Sequence, residues 1–159
     1  MPNQQYLVIL GAAASLVGVL AYARDTLRGT TRPNRVTWVL WAVAPLIGSA
    51  AAFTTGVRWA ALPTFMAGFG PLLVLAATFS NPKSYWRLGL FDYLCGLCSI
   101  LALVLWAITN NPTFAIVFAI LSDGFAAAPT FIKSWHHPES ESAAPYVGAL
   151  VNNLTVFAA

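Results

Sequence analysis

Charge is what this chain has least of. Only 8% of its 159 residues are Asp, Glu, Lys or Arg, against roughly 25% in soluble domains. Hydrophobic residues make up 58%, more apolar surface than a water-soluble fold of this length can cover, which excludes a soluble enzyme or cytosolic binding module. Cysteine is scarce as well. Cys95 and Cys98 both lie inside an apolar run and give no disulfide framework. The sequence has no low-complexity tract and no hydrophilic stretch long enough for separate chemistry. It also lacks a phosphate loop, a zinc spacing and a nucleophile–base pair, so it reads as neither an enzyme nor a cofactor protein. His136 and His137 are adjacent, so on a helix they point different ways, and Glu139 and Glu141 are expected to be solvated loop residues; no metal site is expected. No Lys or Arg precedes the first apolar run. Although Ala21-Tyr22-Ala23 mimics a cleavage site, that run is read as a retained helix rather than a signal peptide.

Long apolar runs are what the chain has in abundance. There are six, at about 6–23, 36–54, 58–79, 88–108, 113–135 and 143–159, each near the ~20 residues that a bilayer requires. They are continuous rather than alternating, which predicts helices and not a β-barrel. The expected fold class is therefore all-α: a polytopic membrane helix bundle with lipid as its surroundings. Short connections make successive helices antiparallel neighbours. Arg24, Arg28, Arg32 and Arg35 fall at the first connection, Lys83 and Arg87 at the third, and Lys133 at the fifth. The second holds only Arg58 and the fourth has no basic residue, so seven of the eight basic residues mark the odd-numbered connections. The positive-inside rule places those in the cytoplasm and the N-terminus outside, in a plasma or inner membrane. The net charge of +3 is thereby explained without nucleic acid. Trp38, Trp59, Trp86, Trp106 and Trp135 lie at span ends, as interfacial anchors do, while Trp41 sits a turn deeper and is a candidate to face a cavity.

One span carries an acid at its centre. Asp123 lies ~15 Å from either end of 113–135 at 1.5 Å rise per residue, near the midplane. An ionised carboxylate there costs about 2.5–3.5 kcal/mol on insertion scales. Pro129, six residues on, removes a backbone donor. The same depth arithmetic brings Asn152 and Asn153 on the last span, and Pro45, Gly48 and Ser49 on the second, to a similar level. Broken helices with polar groups at one level are how transporters build a midplane site. The readings of Asp123 are a substrate or proton site, a structural partner of the asparagines, or a protonated acid shielded from lipid. Asp92, a turn inside the fourth span, reads as structural, within reach of Arg87. Cys95-Gly96-Leu97-Cys98 reads as small filler, with membrane thiol exchange as the alternative.

Sliding the chain by 107 residues lays span one on span five and span two on span six, matching in hydropathy and loop placement. That register predicts two three-helix units joined by a linker helix, divided at about 1–80, 81–110 and 111–159, with a further helix expected after the end of the sequence given.

The passage Ala128-Pro129-Thr130-Phe131-Ile132-Lys133 … Pro138-Glu139-Ser140-Glu141-Ser142 … Pro145-Tyr146-Val147-Gly148 resembles the second repeat of the SWEET sugar transporters and the broader PQ-loop group. There a helix ends in Pro-Thr-Phe and a basic residue, a short Ser-rich cytoplasmic loop follows, and the next helix opens with Pro-aromatic. The resemblance covers about 30 residues and implies a 3+1+3 architecture with hinges at Pro129 and Pro145. The family's first-repeat hinge prolines fall at Tyr22 and Trp38, and its binding asparagine on the third helix has no counterpart. A carboxylate at Asp123 is more similar to the proton-coupled members. The expected function is transport of a small solute (sugar, amino acid or vitamin-like) by two helix triplets rocking about a site of Asp123, Asn152, Asn153, Trp41 and Ser49, with Pro45, Pro129 and Pro145 as hinges. A homo-oligomer is compatible with this. The alternative is a non-transporting scaffold or anchor subunit, which requires Asp123 to sit in a dry, fully hydrogen-bonded contact.

Overall fold

The computed structural model describes residues 2–54, 56, 61–109 and 111–158. Six α-helices account for nearly all of them: α1 (Pro2–Arg28), α2 (Arg35–Thr54), α3 (Leu62–Ser80), α4 (Leu90–Ile108), α5 (Pro112–His136) and α6 (Ala144–Ala158). The first five contain stretches long and apolar enough to cross a membrane, while α6 is shorter at 15 residues. The expected helical bundle is thus present, and each expected span coincides with a helix to within a few residues. Arg58 and Trp59 lie outside the described residues.

Local chemistry sets the helix ends. Gly29 follows α1 at φ +80, a left-handed conformation in which glycine carries no Cβ penalty, and its N–H returns to Thr26 O at 3.0 Å. Asn34 precedes α2 and accepts the Val36 N–H at 3.1 Å. Asn111 does the same for Thr113 at 2.9 Å, with Pro112 in the first turn of α5, where no donor is lost. The fourth span starts at Leu90, two residues later than expected. The Asp92 carboxylate accepts the Gly89 N–H at 2.5 Å and fixes the start there. Its other oxygen accepts from Asn34 Nδ2 at 2.7 Å rather than pairing with Arg87. Both residues are buried. Asn34→Ala is expected to lower stability by about 1–3 kcal/mol, because Asp92 then keeps a buried acceptor without its donor. Thermal unfolding of the detergent-solubilised chain reads this, and an unchanged midpoint refutes it.

Helix α3 packs against both α1 and α2; α1 packs against α6, α2 against α5 and α4, and α4 against α5. No contact joins α5 to α6 among the described residues. The tightest crossing is between α1 and α6. A Cβ on Gly148 would stand 2.8 Å from Ala14 O and 3.1 Å from Ser15 Cα, so backbone meets backbone there. The α2–α3 crossing is similarly close: a Cβ on Gly68 would come 2.9 Å from Ala42 O. Small residues at helix contacts are how bundles in lipid gain packing without a hydrophobic drive. Large apolar side chains point outward instead, among them Leu10, Val17, Leu94, Leu101, Ile116 and Ile120.

The core cluster is Val19, Tyr22, Trp38 and Val74, with Trp41, Leu73 and Leu75 against it. Trp38 is 2% exposed, so the expectation of an interfacial anchor is wrong for this residue. Its ring lies 5.1 Å from Tyr22, inside the α1–α2–α3 packing, which a reading based on span ends could not locate.

Candidate functional site

The odd-numbered connections meet at one end of the bundle. Arg32 N–H donates to Ser140 O at 2.9 Å, Asn81 Nδ2 donates to Leu27 O at 2.7 Å, and Ser84 Oγ donates to Thr26 O. The basic residues of those connections are gathered at this end. At its centre Lys133 and Glu141 form an ion pair, their side chains 2% and 6% exposed. Lys133 Nζ also donates to Arg32 O and stands over the Trp86 ring at 5.1 Å. Glu141 Oε2 accepts from Tyr22 Oη at 2.6 Å and lies 3.5 Å from Tyr146 Oη. One turn further in, Thr130 Oγ1 donates to Thr37 Oγ1 at 2.9 Å and ties α5 to α2.

Glu141 is therefore not the solvated loop residue that the sequence suggested. The short 3-10 turn Pro138–Ser140 folds the connection back, so that Glu141 enters between α1 and α6. Its partner Lys133 was visible only as a basic residue near a helix end. Glu139, by contrast, is exposed and pairs with His137 at 3.5 Å.

Inward of this plug two cavities adjoin. The first, of about 470 Å³, is lined by α2, α3, α4, α5 and α6 and runs toward the even-numbered end, reaching Trp106 and Pro63. The second, of about 300 Å³, lies between it and the plug, with Trp38, Tyr146 and Pro145 among its walls. Six residues line both: Trp41, Pro45, Ala67, Asp123, Asn152 and Asn153. The structure thus brings together Asp123, Asn152 and Asn153, which depth set at one level, and Trp41, the candidate to face a cavity. Asp123 and Asn153 are exposed and Asn152 is buried.

Ser49 is not among the lining residues. It is buried and its hydroxyl donates to Leu46 O at 2.9 Å, within its own helix. Pro45 and Pro129 both sit inside continuous helices, and Pro45 lines the cavities. Pro145 is the second residue of α6, in the first turn, where proline interrupts no helical hydrogen bond.

No hydrogen bond or ion pair holds the Asp123 carboxylate among the described residues. Trp41 Nε1 is directed at it but reaches no partner at hydrogen-bond geometry. The indole of Trp41 is itself fixed, edge-on to Trp38 at 5.7 Å and to Tyr146 at 6.3 Å. Asn152 turns its Oδ1 toward Gly11 of α1, also without a partner. Two residues that sequence reasoning missed complete one wall: Ser99 Oγ donates to Ser122 O at 2.8 Å and Ser122 Oγ to Ser99 O at 3.0 Å. This reciprocal pair clamps α4 to α5 beside Asp123. Serines spaced at a helix face were the only signal, and it is a weak one.

The described residues form a helical bundle with membrane-length helices around a central cavity lined by a single carboxylate, Asp123. No family model matches the chain, and no curated protein and no solved structure matches it.

Proposed function

We propose that this chain is a small-solute membrane carrier or facilitator. The observation that bears this reading is the paired cavity around Asp123, stopped at one end by the Lys133–Glu141 plug and extending toward the other. A carrier needs a site reachable from one side while sealed from the opposite one. On the positive-inside argument the plugged end is cytoplasmic, so this conformation faces outward.

Two further features support alternating access by helix triplets. With an offset of 107, α1 overlies α5 and α2 overlies α6, and the packed pairs α1–α6 and α2–α5 exchange under that same operation. The passage around Pro129 and Pro145 resembles the SWEET and PQ-loop group. The scaffold reading requires a dry, saturated Asp123; a carboxylate without partners beside roughly 470 Å³ of space weighs against it. Thiol exchange is weakly supported, with Cys95 buried and both sulfurs free on α4.

Proton coupling through Asp123 belongs to the proposal. In proteoliposomes the chain is expected to take up a solute from a panel of sugars, amino acids, amines and vitamins, driven by an imposed pH gradient. Asp123→Asn is expected to remove the gradient dependence. Absence of uptake by the wild type overturns the carrier, and unchanged gradient-driven uptake in Asp123→Asn overturns the coupling.

A further inference from the structure

The cavity is unusual in its charge balance. Asp123 is the one carboxylate on either wall, and no Lys, Arg or His lines them among the described residues. Candidate internal counter-ions are committed elsewhere. Lys133 is paired with Glu141. Arg35 donates to Thr78 O at 2.8 Å and lies over the rings of Phe79 and Tyr85. Arg24 pairs with Asp25 at 3.1 Å. Asp123 faces this space at membrane depth with no cation of its own, so the site gains most from a ligand that brings positive charge.

The walls suit the same ligand. Trp41 and Trp106 line the first cavity, and Trp38, Trp41 and Tyr146 the second. Indole and phenol faces attract cations through the ring quadrupole, most strongly where water is excluded. A zwitterion fits poorly: its carboxylate would join Asp123 in a space that offers no guanidinium or ammonium to receive it, and like charges repel there. A sugar would leave Asp123 uncompensated.

We infer that the Asp123 cavity takes a small organic monocation, an alkyl- or quaternary-ammonium solute without a carboxylate. This rests on the carrier reading above and names its substrate class. The ammonium sits against Asp123 with its alkyl groups on the tryptophans.

The test is calorimetric titration of the full chain in lipid nanodiscs. The probes are tetraethylammonium, choline, 3,3-dimethylbutan-1-ol (the neutral isostere of choline) and glycine betaine (the same trimethylammonium group with a carboxylate in place of the hydroxymethyl). Choline and tetraethylammonium are expected to bind, and the isostere and betaine to bind about tenfold or more weakly, the scale of one desolvated ionic contact. Asp123→Glu retains choline binding, Asp123→Asn weakens it about tenfold, and Trp106→Leu weakens it severalfold. Failure of both cations to bind, equal affinity for choline and its isostere, or a preference for betaine overturns the inference. The wild-type comparison needs no variant to fold. The carrier reading is scored separately, by labelling Ala67→Cys in a chain lacking Cys95 and Cys98 with an impermeant thiol reagent from each side. Labelling from both sides without cation selectivity leaves a carrier with another substrate. Cation selectivity with labelling from one side only leaves a binding site that does not alternate.

Discussion

Glu141→Ala is expected to destabilise this protein more than any other single surface-connection change, by about 3–5 kcal/mol, the cost of leaving one member of a buried ion pair uncompensated. The substitution strands the Lys133 ammonium, which is 2% exposed, and removes the acceptor of Tyr22 Oη. Lys133→Met should fall in the same range, because it strands the carboxylate instead. The double change Lys133→Met with Glu141→Leu should recover most of the loss, since neither charge is then buried alone. Thermal unfolding of all four chains in one detergent measures the coupling. Single variants as stable as the parent would show that water reaches the pair and that the plug is not sealed.

The second large effect is expected at the α1–α6 crossing. Gly148→Leu places a branched side chain where even a Cβ comes 2.8 Å from Ala14 O. The obstacle is backbone, so no rotamer relieves it and the helices must separate. Overpacking of this kind costs about 1–3 kcal/mol or more. Gly148→Ala should be milder but of the same sign. Since α6 carries Asn152 and Asn153, the variant that still folds should also disturb the cavities that they line. A cysteine cross-link between α1 and α6, formed in the parent and lost in Gly148→Leu, reports the separation independently of stability. An unaltered cross-link and midpoint would mean the close approach is not retained in lipid.

Much of this arrangement could be read from the chain, for identifiable reasons. Continuous apolar runs have few alternatives to helices in a bilayer, so the six helices followed directly. Their neighbours did not: short connections were expected to set successive helices side by side, but among the described residues only α2–α3 and α4–α5 do so, while α1 packs on α6 and α3 rather than on α2. Depth depends only on rise per residue, which is why Asp123, Asn152, Asn153 and Pro45 fall at one level and share both cavities. Depth says nothing of azimuth. Ser49 has the right height but its hydroxyl stays on its own helix at Leu46. Trp38 was misjudged for the same reason: its position in sequence marks a span end, while its burial depends on which way α2 is turned toward Tyr22 and Val74. The Lys133–Glu141 pair needed a three-residue turn whose path no hydropathy pattern records. The serines of α4 and α5 likewise became a reciprocal pair only once the two helices were set side by side.

The plug has a consequence for how such an end could come apart. Two opposite charges held dry attract strongly, but each has surrendered its hydration to be there. When α1 and α6 part far enough to admit a few waters, solvation of the ammonium, the carboxylate and the Tyr22 hydroxyl returns as the direct contacts are lost. That returning hydration offsets part of what the lost contacts contributed. The same residues that punish a missing partner severely can be drawn apart intact at modest expense, with the greatest resistance at the half-wetted stage between the two.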